Sequence, residues 1–134
     1  MILAFDYGTQ KIGVASGNML LGTATPLKAL PCKNTQPNWD DIAALLKEWE
    51  PEALVVGLPL NMDGSDSEST ARARKFANRL HGRFGKKVWL GGERLSTREA
   101  RERTGIQKAD SRVDSMAAVI IAEGFFAGDA EAIG

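Results

Sequence analysis

The chain predicts an α/β domain: a mixed five-stranded sheet, its first three strands antiparallel, with helices on both faces. Three observations predict it. Two apolar, β-favouring runs, ILAFDYG and KIGVASG, stand back to back across Gly8-Thr9-Gln10, the pattern of a hairpin. Two later runs, ALVVGL at 53–58 and KVWLG at 87–91, are short and nearly without polar alternation, as strands covered on both faces are. Segments of helical period separate and follow these runs, and parallel strands need such crossovers.

In chain order, the hairpin is followed by a third extended stretch at roughly 20–30. Pro26, Pro31 and Pro37 disfavour helix there, and residues 34–38 read as a loop. Asn38 is a natural N-cap, and Ile42, Leu45, Leu46 and Trp49 recur at i, i+3, i+4 and i+7 before Pro51, which predicts an amphipathic helix. The apolar run 53–58 is the fourth strand, and Asp63-Gly64 supplies turn chemistry in the polar loop after it. A helix is expected from Ser65 or Ser67 to about Gly82. Its buried stripe is Ala73, Phe76, Ala77 and Leu80, and Arg72, Lys75, Arg79 and Arg83 lie on another face. Residues 87–91 form the fifth strand. Ser96 and Glu99 have the spacing of a capping box for a helix ending near Gly105, and residues 107–112 form a polar connection. The last helix is expected over about 113–126, with Met116, Ala117, Ile120, Ile121 and Gly124 on its main apolar face. The order is β-β-β-α-β-α-β-α-α, without internal repeat or linker, so residues 1–134 read as one domain.

Composition narrows the class. A chain of 134 residues can bury a core without disulfides, and its single cysteine, Cys32, fits a reducing, cytoplasmic setting. No apolar run approaches a membrane span. The net charge is zero, yet residues 68–112 hold 13 Lys/Arg against 5 Asp/Glu, so a neutral protein still has a basic region suited to a polyanion.

Three carboxylates stand where strand ends or a helix start would expose them: Asp6, Glu93 and Asp114. In open α/β sheets, sites gather at such ends. Carboxylates converging there repel one another unless cations hold them, and hard oxygen ligands suit Mg²⁺ or Mn²⁺. Two such ions can activate a water and stabilise the leaving oxygen of a phosphodiester. Each acid also has an ordinary role open to it: Asp114 as a helix-cap partner of Ser111, Asp6 as a cap of the Gly8 turn, and Glu93 as a surface partner of Arg94. Gly8 and Thr9 can meet a phosphate, although Gly8 also suits a plain turn. His81 reads as a surface or packing residue, and Trp39, Trp49 and Trp89 as core residues.

The words around these residues carry a resemblance. DYGTQKIGVASG (6–17), VVGLPLNMDGS (55–65), ARARKFANRLHGRFG (71–85), ERLSTREA (93–100) and VDSMAAVIIAE (113–123) resemble, in order and over nearly the whole chain, the YqgF or RuvX family of the RNase H-like superfamily. That family is described both as Holliday junction resolvases and as nucleases trimming the 5′ end of pre-16S rRNA. The resemblance implies an RNase H-like fold and a metal-dependent nuclease acting on structured nucleic acid in ribosome biogenesis. It implies Asp6, Glu93 and Asp114 as catalytic ligands of two Mg²⁺ or Mn²⁺ ions. Gly8, Thr9, Lys11, Asn61, Arg72, Lys75, Arg79 and Arg94 are then nucleic-acid contacts, joined by Arg83 and Arg98 along the backbone, with an ordinary solvated helix face as the role equally open to each of the basic residues from 72 on. Precursor rRNA is the first expected partner and branched DNA the second, with no membrane, and with a monomer or homodimer as the acting species. The family's usual Asp-Glu-Arg reads Gly92-Glu93-Arg94 here, and its usual pair of basic residues is Gln10-Lys11. Two other classes stay open: a non-catalytic RNase H-like binding domain, favoured by Gly92, and the phosphate-binding hairpin of sugar kinases and actin-like ATPases. The latter need a second domain for which 134 residues leave no room.

Overall fold

The computed structural model describes residues 1–8, 10–58, 67–91, 115–128 and 130–133. Within them, β1 (Ile2–Tyr7) and β2 (Lys11–Asn18) form the expected antiparallel hairpin, with Phe5 opposite Val14 and Asp6 opposite Gly13. β6 (Ala53–Gly57) lies parallel to β1 on its other side, and β7 (Lys87–Gly91) lies parallel to β6. All five residues of β6 are buried, which explains its unbroken apolar run.

The sheet is larger than the five strands the sequence suggests. The single stretch expected at 20–30 divides into β3 (Thr23–Pro26) and β4 (Leu30–Lys33), both antiparallel to β2 along the same edge. Residues 34–38, expected as a loop, include β5 (Gln36–Pro37), which folds back on β4. At the opposite edge β8 (Ala130–Ile133) pairs antiparallel with β7. The strand order is therefore β5-β4-β2-β1-β6-β7-β8, with β3 also on β2. Pro26 and Pro37 sit in the edge strands β3 and β5, where a missing N–H costs no central ladder bond, and Pro31 sits in β4 between β5 and β2.

α1 (Trp39–Trp49) starts at Asn38, whose side chain accepts from the N–H groups of Asp40 and Asp41. Two acidic residues in its first turn complement the positive end of the helix. Glu50, in the left-handed conformation, ends it before Pro51. Trp49 departs from the core role expected for it: it is exposed, while Ile42 and Leu46 carry the buried face. α2 (Glu68–Phe84) is capped by a reciprocal Ser67–Thr70 box and closed by Gly85. Its Ala73, Phe76, Ala77 and Leu80 are buried as expected. His81 accepts its packing role: its Nδ1 lies 3.0 Å from the Lys86 carbonyl. The helix expected at 96–105 lies outside the described residues.

Side chains alternate across the sheet. Leu3, Phe5, Leu54, Val56, Val88 and Leu90 face α1 and α2, forming the larger core. Ile2, Ala4, Ala53 and Val55 face the last helix, α3 (Met116–Phe126), and pack on Ala118, Val119, Ile121 and Ala122. α3 is buried around most of its circumference rather than along one stripe, since every residue from Ala117 to Ala122 is buried.

α3 sits close because β6 ends in glycine. A Cβ on Gly57 would lie 2.3 Å from Cδ1 and 3.0 Å from Cγ1 of Ile121. Gly57→Ala is expected to overpack this contact and cost about 1–3 kcal/mol, read as a lower urea midpoint with an unchanged slope.

Candidate active site and an adjoining basic cleft

Asp6 shares strand parity with Ile2 and Ala4, so it belongs to the α3 side of the sheet. It is half-buried near the C-terminal end of β1. Tyr7, one residue later, belongs to the α1/α2 side and packs on that core.

α3 approaches Asp6 with its N-terminal end. Its first flanking residue, Ser115, is fully buried, and its hydroxyl accepts from the N–H of Val14 at 3.1 Å and donates to the carbonyl of Leu27 at 2.5 Å. Val14 also accepts at its carbonyl from Leu27 N–H, so both of its backbone groups point away from β1. Here β2 passes from β3 to β4, and the Ser115 hydroxyl fills the place of the missing ladder bond. Val14 is the rung beside Asp6–Gly13. At the other end of α3, Phe126 reaches Gly17, opposite Ile2. The helix thus runs antiparallel to β1, bringing its positive dipole end to the end of the sheet where Asp6 lies.

β7 ends at the same level. Val56 pairs with Phe5 and with Leu90, and Gly57 with Gly91. Leu58 N–H prolongs the pairing by donating to the Gly91 carbonyl. Asp6, Gly57 and Gly91 therefore stand side by side at the ends of β1, β6 and β7.

Of the residues expected in the site, Asp6, Gly8, Lys11, Arg72, Lys75 and Arg79 are described. Thr9, Asn61, Glu93, Arg94, Arg98 and Asp114 lie outside the described residues, as does Gly92. Gly8 has a local reason to be glycine: a Cβ there would stand 2.7 Å from the Lys11 carbonyl oxygen, so the hairpin itself requires it. Lys11 is exposed at the start of β2. Among the described residues, no three His, Cys, Asp or Glu side chains come together, so the three-acid set depends on Glu93 and Asp114.

The structure brings the basic face of α2 against β1 and the β4–β5 turn. Arg72, Lys75 and Arg79 share with Tyr7, Thr35 and Gln36 a cleft of about 210 Å³. Arg83 turns elsewhere, its guanidinium 4.3 Å from the ring centre of Trp39. Phe76 floors the cleft, stacked on Tyr7 at 4.8 Å and meeting Phe5 edge-on at 5.8 Å. The Tyr7 hydroxyl donates to the Thr35 carbonyl and Arg79 donates to Gln36 Oε1, both at 3.1 Å. Arg72 is paired with Glu68 at 2.7 Å. Burial, and secondarily Cys32, raises the Tyr7 phenol above its ordinary value against the lowering pull of Arg79 and Arg72, so at neutral pH it is a neutral donor. Tyr7, Thr35 and Gln36 carried no signal in the sequence, because their place in the cleft depends on contacts many residues away.

Asn34 and Thr35 both have positive φ, 53° and 63°. They join Lys33 to Gln36 across a two-residue hairpin, where Asn-Gly is the usual choice and a β-branched residue is strained. Thr35→Gly is expected to relieve that strain and stabilise the protein by about 1 kcal/mol, read as a higher melting temperature.

Residues 1–128 match the family model described as RuvX, Holliday junction resolvase. The chain is 95% identical over 131 residues, covering 98% of both chains, to an Alcanivorax borkumensis protein named "Putative pre-16S rRNA nuclease". A protein of the same name from Escherichia coli O1:K1 is 55% identical over 130 residues, covering 93% of this chain and 94% of its own. In structure the chain is similar to T. thermophilus RuvC in complex with Holliday junction substrate, with TM-score 0.55, 16% identity and 98% of both chains covered. That likeness establishes a RuvC-like, RNase H-type fold.

Proposed function

The chain belongs to the RuvX family, and on that premise we propose that it is a metal-dependent nuclease acting on structured RNA, with the 5′ end of pre-16S rRNA as its first substrate. The observation that carries the reading is the shared location of three chain positions at one end of the sheet. Asp6 is next to the last residue of β1, Ser115 pins the start of α3 one rung away, and Gly91 ends β7 at the same level. Gly91 is about 10 Å from Asp6 by strand spacing. Glu93 is two residues beyond Gly91 and Asp114 directly precedes Ser115, so both acids are tethered within a short reach of Asp6.

The donor set suits hard divalent cations. Asp6, Glu93 and Asp114 would hold Mg²⁺ or Mn²⁺, two ions in this reading, which when bound supply Lewis-acid stabilisation of charge on the phosphodiester oxygens. The start of α3 adds its own partial positive charge beside Asp6. Lys11 offers an exposed cation at the adjoining hairpin, and Thr9, Asn61 and Arg94 complete the contacts to substrate, acting in the cytoplasm as a monomer or homodimer. Among the described residues no helix is long and apolar enough to cross a membrane.

The family description favours a second substrate, a branched DNA junction. Purified protein incubated with Mn²⁺ and either pre-16S rRNA or a four-way DNA junction decides between them. Cleavage of the RNA alone supports the first reading and cleavage of the junction alone the second. Binding without cleavage of either would make the chain a non-catalytic binding domain, the outcome Gly92 would then explain.

A further inference from the structure

The cleft on the opposite side of β1 from Asp6 has a chemistry of its own. Three cations line it, and its described lining contains no carboxylate. Glu68, one turn before Arg72 on α2, is paired with it. Arg79 is oriented by the neutral Gln36 side chain, which fixes the guanidinium without consuming its charge. Lys75 is exposed and makes no ion pair with any described residue. Tyr7 and Thr35 line the same cleft, the Tyr7 hydroxyl donating to the Thr35 carbonyl. Thr35 holds a left-handed conformation that a glycine would adopt without strain, and strained residues of this kind gather at sites where the side chain is used.

At about 210 Å³ the cleft is smaller than the roughly 300–1,000 Å³ of pockets that enclose a drug-sized ligand, and its charge suits a small anion such as a phosphate group. Guanidinium and ammonium donors around a neutral floor are the groups that position a backbone phosphate without reading sequence. Asp6 and Tyr7 are adjacent in β1 and project to opposite faces. A strand crossing the end of the sheet at Asp6 would therefore continue toward the cleft.

We propose that the cleft formed by Tyr7, Thr35, Arg72, Lys75 and Arg79 is a separate subsite that grips a backbone phosphate flanking the one to be cut. This rests on the nuclease reading, because it places the cleft along the path of the same substrate. The grip is equal for substrate and transition state, so its loss raises KM and leaves kcat unchanged.

The test measures binding of a fluorescein-labelled RNA hairpin with a single-stranded 5′ extension, in EDTA, across a series of salt concentrations. Lys75→Ala is expected to weaken binding and to reduce the slope of log K against log salt by about 0.7–0.9, the value of one phosphate contact. Lys47→Ala, in the last turn of α1 and away from the cleft, should leave the slope at the wild-type value. An unchanged slope in Lys75→Ala, or an equal change in both variants, would overturn the subsite. Cleavage with Mn²⁺, scored separately, keeps the two readings apart. If the wild type cuts neither RNA nor junction but the Lys75 effect persists, the nuclease reading fails and the subsite stands. If cleavage depends on Asp6 and Lys75→Ala has no effect, the reverse holds.

Discussion

Asp6→Asn is expected to remove cleavage activity by roughly a thousandfold or more while leaving the fold intact. The substitution keeps the side-chain shape and removes the charge. The pairing of Asp6 with Gly13 in the hairpin is made by the backbone, which asparagine keeps. A metal-held site does, since a bound ion stabilises developing charge by several kcal/mol and each 1.4 kcal/mol is about a factor of ten in rate. Cleavage with Mn²⁺ and thermal melting, measured on the same preparation, check both halves. Mn²⁺ should raise the melting temperature of the wild type by mass action and do so less in the variant. Full activity in Asp6→Asn, or an identical Mn²⁺ shift in both proteins, would rule out Asp6 as a ligand.

Ser115→Ala is the substitution expected to cost most stability among the described polar residues. Its hydroxyl serves two backbone groups at once, the Val14 N–H and the Leu27 carbonyl, and no neighbouring strand replaces it there. Leaving both unpaired costs about 2–4 kcal/mol in total. Ser115→Thr keeps the hydroxyl and should recover much of that loss. Urea denaturation of the three proteins measures it. The same bond fixes the start of α3 against β2, so under conditions where Ser115→Ala remains folded, its kcat should still fall. Activity equal to that of the wild type would mean that Asp114, the next residue along the chain, is not positioned through Ser115.

The parts of the fold legible in the sequence are those whose signal is local. Asn38 announces α1 because a capping side chain acts within three residues, and the β1–β2 hairpin follows from two apolar runs around a glycine. β6 is legible because both of its faces are covered. The β4–β5 hairpin is not, because Thr35 occupies a conformation its residue type disfavours. β8 is written AEAI, letters with helical propensity, and it becomes a strand because β7 offers an open edge. The all-round burial of α3 blurs the stripe that a surface helix would show. Of the candidate site, Asp6, Arg72, Lys75 and Arg79 could be named from residue type and spacing, whereas Arg83 of the same stripe turns to Trp39. The cleft was not legible, since Arg79 meets Gln36 across 43 residues of chain.

β1 holds Asp6 for one face and Tyr7 for the other, while Phe5 and Ala4 behind them fill opposite cores. A one-residue insertion or deletion in this strand would exchange the two outward residues and invert both cores together. The side proposed to hold metal and the side proposed to grip phosphate are consequently locked in phase. Variation within β1 can proceed by replacement of residues but not by change of length, and length changes that preserve the protein are confined to the loops around it.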